Sequence, residues 1–205
     1  MKIHCEPCSE QKDIIVIYVD EEPWREIHRY IFRKAPSFPE SIQSMEELEE
    51  YFNLQEFKLA KNYALRKLTK RSYVSMELIR QLKKVLVTDD CVNHIIDKCV
   101  EYGFIDDNQW VQNFIRREVR SKHGTALIKQ KLRQKGVDDE LIESGFNSLD
   151  TEGEQREQIT RLLRTRFRAR NLLDFKEREK TIGALVRRGY EVNLIREVIN
   201  SCVSE

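Results

Sequence analysis

One apolar pattern recurs three times along this chain, and that recurrence restricts the fold more than any other feature. Take Leu82, Leu132 and Leu185 as anchors. Four residues on lie Leu86, Gly136 and Gly189, followed by Val87, Val137 and Tyr190. Nine and ten residues after the anchors come Cys91 and Val92, Leu141 and Ile142, and Leu194 and Ile195; fourteen after come Ile96, Phe146 and Ile199. The anchors are 50 and then 53 residues apart. Agreement at five offsets in three copies is rare by chance, and a period near 50 marks a supersecondary unit stacked in tandem.

Each unit reads as three short helices. In residues 57–106, Phe57, Ala60, Ala64 and Leu68 have helical spacing. Leu78, Ile79, Leu82 and Val85 give a second helix with Ser75 as N-cap, and Val92, Ile95, Ile96 and Cys99 a third, capped by Thr88 and ended by Gly103. In residues 107–153, Asp106 or Asp107 caps a stripe of Trp110, Val111, Phe114 and Ile115, which Gly124 closes. Thr125 caps the next helix, with Ile128 and Leu132 inward and Gly136 as its stop, and Asp138 caps the helix of Leu141, Ile142, Phe146 and Leu149. In residues 154–205, Ile159, Leu162, Leu163 and Phe167 precede a capping box of Asp174 and Glu177, which opens the helix of Ile182 and Leu185. Gly189 stops that helix, and Leu194, Ile195 and Val198 lead to the C-terminus.

Residues 1–56 form an acidic N-terminal segment of a different kind. Residues 14–19 are six apolar or aromatic β-formers between acids, the one credible strand. A lone strand is unstable, so it needs a partner: a second short strand near residues 2–5, or another chain. Pro23 starts a helix with Trp24, Ile27 and Ile31 on one face, which Pro36 and Pro39 break. Ser44 and Glu47 box a short helix bearing Leu48, Tyr51 and Phe52. The expected fold is mostly α: a tandem array of three three-helix (helix-turn-helix-like) repeats, with a small N-terminal segment containing a short strand.

Net charge is only +1, yet it alternates in blocks. Residues 1–56 hold 6 basic and 13 acidic residues, net −7. Residues 57–88 are net +8, 89–107 net −5, 116–135 net +7, 138–154 net −7 and 156–170 net +5. Repeats carrying basic blocks at intervals suit a helical polyanionic groove. No apolar run is long enough to span a bilayer, so no membrane partner is expected. Residues 1–13 lack the apolar core of a secretory signal, and 5 cysteines, an odd number, fit a reducing cytoplasm.

Several short motifs resemble the RecX family. Ala64-Leu65-Arg66-x-Leu68, then Arg71, then Glu77-Leu78 with Leu82, resembles the family's opening repeat. Gly103-Phe104-Ile105-Asp106-Asp107 is similar to the junction that follows. Gly124 with Leu132-x-x-Lys135-Gly136-Val137 resembles the second repeat, and Leu185-x-x-Arg188-Gly189-Tyr190 the third. The likeness covers roughly residues 57–200. Tyr73 and Val74 depart from Arg-x-Ser-like chemistry before the second helix, and Val111 replaces a small residue. The resemblance implies a monomeric, cytoplasmic, non-enzymatic regulator of the RecA recombinase. Such a protein lies in the groove of the RecA–DNA filament, most often inhibits it, and thereby affects DNA repair, recombination and the SOS response. Direct affinity for single- or double-stranded DNA would be weak and salt-dependent.

The basic residues are the candidate contacts. Arg116, Arg117, Arg120, Lys122, Lys129, Lys131, Arg133 and Lys135 form one block; on helices, 116 pairs with 120 and 129 with 133 on one face. Arg66, Arg71 and Arg188 join them from the motifs, with Arg187 beside Arg188. The default reading of such stretches is a solvated helix face. Arg161, Arg164, Arg166, Arg168 and Arg170, spaced mainly by twos, would circle a helix rather than line one side. Cys5 and Cys8 make a lone C-x-x-C without the second ligand pair of a zinc site, so no metal or cofactor is expected. Cys91, Cys99 and Cys202 fall on apolar repeat positions. Trp110 in an apolar stripe is more often core than a base-stacking platform, and Asp106 with Asp107 more often a cap than a metal pair. His28, His94 and His123 have no nucleophile nearby, and no nucleotide or hydrolase loop appears. A stand-alone helix-turn-helix DNA-binding protein is the alternative function. A third reading is a helical scaffold whose charges serve solubility or internal pairing.

Overall fold

The computed structural model describes residues 1–149 and 151–204, without the side chain of Ser204. Asp150, counted above in an acidic block, lies outside the described residues. Two compact units are present, Met1–Asp106 and Asp107–Glu205.

The first unit opens with an antiparallel sheet of β1 (Ile3–Pro7), β2 (Ile14–Val19) and β3 (Glu22–His28), in that order. β2 is the strand read from sequence; Cys5 faces Ile17 across β1 and Ile27 faces Ile15 across β3. Ile15, Ile17 and Ile27 pack on Phe52. The helix expected after Pro23 is therefore a strand. Asp20 and Glu21, with φ of 48° and 70°, make a two-residue turn that sends the chain back along β2. Pro23 is tolerated because β3 is an edge strand, where a missing N–H need not break a ladder.

α1 (Arg29–Phe32) follows, then α2 (Met45–Leu68). Ser44 Oγ accepts from Glu47 N–H (3.2 Å), and the Glu47 carboxylate accepts from Gln43 N–H (2.8 Å). The two helices expected on either side of residue 56 are one continuous helix, since no glycine or proline interrupts residues 45–68. α2 gives Phe52 to the sheet core and Ala60 and Ala64 to the helical core of α3 (Ser75–Lys83) and α4 (Asp89–Glu101). Ser75 is the first residue inside α3, and Val74 holds the cap position without a side-chain bond. Thr88 does sit at the cap of α4, but its hydroxyl donates to the buried Glu56 of α2, and its N–H bonds the same carboxylate at 3.2 Å.

The second unit holds α5 (Asp107–Arg120), α6 (Thr125–Lys135), α7 (Asp139–Asn147), α8 (Thr151–Arg164), α9 (Phe175–Val186) and α10 (Val192–Ser204). Asp138 caps α7 through Leu141 N–H (2.8 Å), and Asp174 caps α9 through Glu177 N–H (2.9 Å). The fold is thus mostly α, with three helical repeats and a small N-terminal sheet.

The repeat has a backbone cause. Leu82, Leu132 and Leu185 are fully buried. The carbonyl of each accepts from the N–H five residues on, at 3.2, 3.1 and 3.3 Å. The residue between, Leu86, Gly136 or Gly189, has φ of 57°, 86° or 88°. This is one Schellman helix ending used three times. Its left-handed position favours glycine, and the first repeat places leucine there.

Gly124 serves a different need from the helix stop expected of it. Lys122 takes the left-handed conformation after α5 (φ 62°), while Gly124 is the extended cap of α6. A Cβ at Gly124 would stand 2.2 Å from the carbonyl carbon of Gly189. The third repeat's turn lies directly on the start of α6. There Gly124 N–H donates to the Arg188 carbonyl (2.8 Å) and Ala126 N–H to the Gly189 carbonyl (3.0 Å). Between them Thr125 N–H donates to Gln155 of α8 (3.2 Å), whose amide donates to the Thr125 hydroxyl (2.7 Å). The free N–H groups that begin a helix are here satisfied by the neighbouring repeat, so Thr125 is the first helical residue and not the cap.

Candidate functional site

Ion pairing sorts the candidate cations. Lys129 bonds Glu143 (2.6 Å), Arg133 bonds Asp139 (2.7 Å), and Lys131 bonds Glu118 (2.6 Å). The helix face shared by Lys129 and Arg133 therefore turns toward α7. Arg71 bonds Glu77 (2.8 Å) and lies over the Tyr73 ring. Lys135 lies over the stacked rings of Trp110 and Phe114, and Arg117 also lies over Phe114. Trp110 is half-buried in that stack. Arg116 and Arg120 are exposed on α5 and make no ion pair among the described residues.

Arg187 and Arg188 are brought together with Arg166 and Arg170. Arg166, Arg168 and Arg170, three of the five in the arginine run, are not helical, because α8 ends at Arg164. Phe167 is buried and its N–H reaches back to the Leu162 carbonyl (3.1 Å), which turns the chain inward. Arg166 and Arg170 then line a pocket of about 500 Å³ with Arg187, Arg188 and His123, over a floor that includes Phe167 and Leu127. Its walls come from the second and third repeats, which the Gly124–Gly189 contact joins. No carboxylate lines it. Arg170 is held by Thr181 (3.1 Å) and by the Phe167 ring; Arg166, Arg187 and Arg188 make no ion pair among the described residues. Four guanidinium groups around an acid-free pocket suit phosphate or carboxylate ligands, which arginine can bind bidentately.

Glu118 and Lys131 support the His123 side. His123 Nδ1 is 2.9 Å from the Glu118 carboxylate. Burial pushes that carboxyl up, but bonds from Lys131 and His123 and their charges outweigh it and hold it below the usual range.

Arg66 lies elsewhere, near the end of α2, in a pocket of the first unit lined also by Tyr30 and Tyr63. Sequence reasoning passed over Tyr30, Arg29 and Arg33, because no motif marks them. It also passed over Leu173, just before α9, and Phe175, its first residue, which are 79% and 74% exposed. Two large apolar residues on either side of a helix cap, close after an arginine run, were a legible signal.

Cys91 and Cys99 are buried and Cys202 half-buried, all within helical cores. Burial, then the charge of Glu56, pushes the Cys91 thiol up to about 12. Cys5 is half-buried in β1, and burial raises its thiol too. Among the described residues no His, Cys, Asp or Glu cluster could hold a metal, and no helix is long and apolar enough to cross a membrane.

Fold and site together define a class: a protein of tandem three-helix repeats, with a cation-lined pocket between the second and third. Comparison with known proteins narrows it. Residues 106–145 match the family model for the second three-helix domain of RecX, and residues 153–199 that for the third. "Regulatory protein RecX" of Mycolicibacterium smegmatis is 35% identical over 147 residues, covering 69% of this chain and 78% of that protein. The Legionella pneumophila protein of the same name is 29% identical over 144 residues, covering 69% and 93%. The chain belongs to the RecX family of regulatory proteins. A crystal structure of regulatory protein RecX shares the fold at a TM-score of 0.66 and 19% identity, covering 97% of this chain and 98% of that one. The RecX structure from Lactobacillus salivarius gives 0.64 at 23% identity, covering 71% and 95%.

Proposed function

We propose that this protein regulates the RecA recombinase by binding the RecA–DNA filament in its groove, mainly as an inhibitor. It acts as a monomer in the cytoplasm, without catalysing a reaction. Membership of a regulatory family supports the general reading. The observation that carries the contact site is the acid-free pocket of Arg166, Arg170, Arg187 and Arg188. Clustered unpaired arginines attract phosphates through charge, in a salt-dependent way. Leu173 and Phe175, exposed at the start of α9, add apolar anchors of the kind that protein interfaces bury. An exposed leucine offers no π-face for a base to stack on, so Leu173 favours a filament of protein and DNA over the stand-alone DNA-binding reading. Lys129, Arg133 and Arg71 already have carboxylate partners, so they rank below Arg116, Arg120, Arg187 and Arg188 as contacts.

The test is RecA ATPase on single-stranded DNA, titrated with this protein and with the triple variant Arg166→Glu, Arg187→Glu, Arg188→Glu. Inhibition by the native protein and its loss in the triple variant, with helicity retained, is the expected result. Leu173→Ala should weaken inhibition and leave DNA-only binding unchanged. Full inhibition by the triple variant would remove this pocket as the contact. Sequence-specific duplex binding without RecA would install the alternative.

A further inference from the structure

The first unit contains a second cation-lined pocket, of about 700 Å³, and it differs from the first in one respect that changes what it can recognise. Its walls are α1, the end of α2 and the turn after α3. Arg29 comes from α1 and Arg33 from its C-cap, Arg66 and Lys67 from α2 and Lys70 from just beyond it, and Lys84 from the turn, with no carboxylate among the lining residues. Lys67 reaches Gln81 (3.2 Å) and lies over the Tyr63 ring. Arg29, Arg33, Arg66, Lys70 and Lys84 make no ion pair among the described residues. So many like charges around one cavity repel one another, and a bound polyanion relieves that repulsion.

The difference is aromatic. The ring of the unit-2 pocket, Phe167, is buried, whereas Tyr30 is 65% exposed at the mouth of this one. Its orientation is set. The Tyr30 ring stacks on His28 at 5.1 Å and 16°, and the Tyr30 N–H donates to His28 Nδ1 (3.1 Å). One face is thus backed by imidazole and the other is open. Arg33, which ends α1, has φ 54° and ψ −51°, a conformation that costs a residue with a Cβ and recurs at ligand clamps. Bare phosphate needs no aromatic platform, but a nucleobase does, and base–aromatic stacking is a main source of affinity at single-stranded sites.

We infer that this pocket binds a nucleotide unit, with the base stacked on Tyr30 and its phosphates held by the cations of α1 and α2. The unit comes either from a free nucleoside triphosphate or from an unpaired stretch of nucleic acid; both present the same base and phosphate chemistry. This site is independent of the filament-binding reading, since it shares no residue with the unit-2 pocket.

The test is calorimetric titration of the full chain with ATP, with tripolyphosphate and with a short oligo-deoxythymidine, for the native protein, Tyr30→Ala and Tyr30→Phe. The exposed ring makes both variants safe for folding, which circular dichroism checks. Tyr30→Ala should weaken whichever base-bearing ligand binds by about tenfold. Tyr30→Phe should bind as the native protein does, and tripolyphosphate should bind alike to all three. Saturation by ATP identifies a free nucleotide as the source, and saturation by the oligonucleotide alone identifies nucleic acid. The inference is overturned if neither base-bearing ligand binds, if Tyr30→Ala binds them as the native protein does, or if tripolyphosphate matches them in affinity.

Discussion

Replacing Gly189 by alanine tests the joint between the second and third repeats. The φ of 88° there costs a residue with a Cβ about 1 kcal/mol. The new Cβ would stand 2.4 Å from the Leu127 nitrogen and 2.5 Å from the Leu127 Cβ, both within α6. Backbone cannot rotate aside as a long side chain does, so the turn has to withdraw from α6 by roughly 1 Å to reach ordinary contact. That withdrawal breaks the bonds from Gly124 N–H to Arg188 (2.8 Å) and from Ala126 N–H to Gly189 (3.0 Å). Each lost bond leaves an unsatisfied donor at the start of α6 and costs about 1 kcal/mol, so the total is about 3 kcal/mol. Gly103→Ala is the control. Gly103 ends α4 with φ 69° but has nothing within 4 Å of a built Cβ, so it should lose only the conformational cost of about 1 kcal/mol. Urea unfolding followed by circular dichroism measures both, and amide exchange at Gly124 and Ala126 reports the joint directly. Equal losses in the two variants, or unchanged protection of those two amides in Gly189→Ala, would refute the close-contact reasoning.

Other expectations follow from single contacts. Glu56→Ala should cost about 2 to 3 kcal/mol in urea unfolding, because Thr88 loses the acceptor of both its N–H and its hydroxyl in a buried setting. Glu118→Gln should lower stability at neutral pH by no more than about 1 kcal/mol. The Glu118 carboxyl is depressed in the fold, so its contribution is present above the unfolded value and lost as pH falls through the folded one; native and variant should converge only once pH has fallen below that depressed value. Thiol labelling of the folded protein at about pH 8, read by mass spectrometry, should leave Cys91 unmodified until urea unfolds the first unit. Leu132→Ala should cost about 2 to 5 kcal/mol, as expected for a fully buried anchor.

The repeat was legible because one local device produces it. A buried leucine, a left-handed residue and a buried apolar residue follow one another within six positions, and sequence displays short-range patterns of that length. The hairpin after β2 was hidden because Asp20-Glu21 is not a glycine-bearing turn signal, and without the turn Trp24, Ile27 and Ile31 fit a helical period. The continuity of α2 was hidden because its apolar face changes partner midway, from the sheet at Phe52 to α3 and α4 at Ala60. Arg187 and Arg188 could be singled out as candidates, but their meeting with Arg166 and Arg170 could not. It depends on Phe167 turning inward and on the approach of residues 124 and 189, which are 65 positions apart.

Charge alternation along the chain has two uses, and the structure separates them. One residue after the anchor pairs with the residue seven after it in the first two repeats: Lys83 with Asp89 (2.8 Å) and Arg133 with Asp139 (2.7 Å). These bonds tie the second helix of a repeat to its third, and as exposed pairs they add at most about 1 kcal/mol each. In the third repeat the same two positions are Val186 and Val192. The acid that would follow the arginines is gone, and Arg187 and Arg188, next along the chain, have no carboxylate against them. The ion pair that ties second helix to third in the first two repeats is thus missing in the third, where the arginines beside those positions line the pocket. Salt should therefore affect the two differently. Raising ionic strength should leave unfolding midpoints nearly constant, because the pairs contribute little, while partner binding should weaken steeply, because the pocket's charges act on a ligand through solvent. Equal sensitivity of stability and binding to salt would mean that the third repeat's arginines are structural charges like the rest.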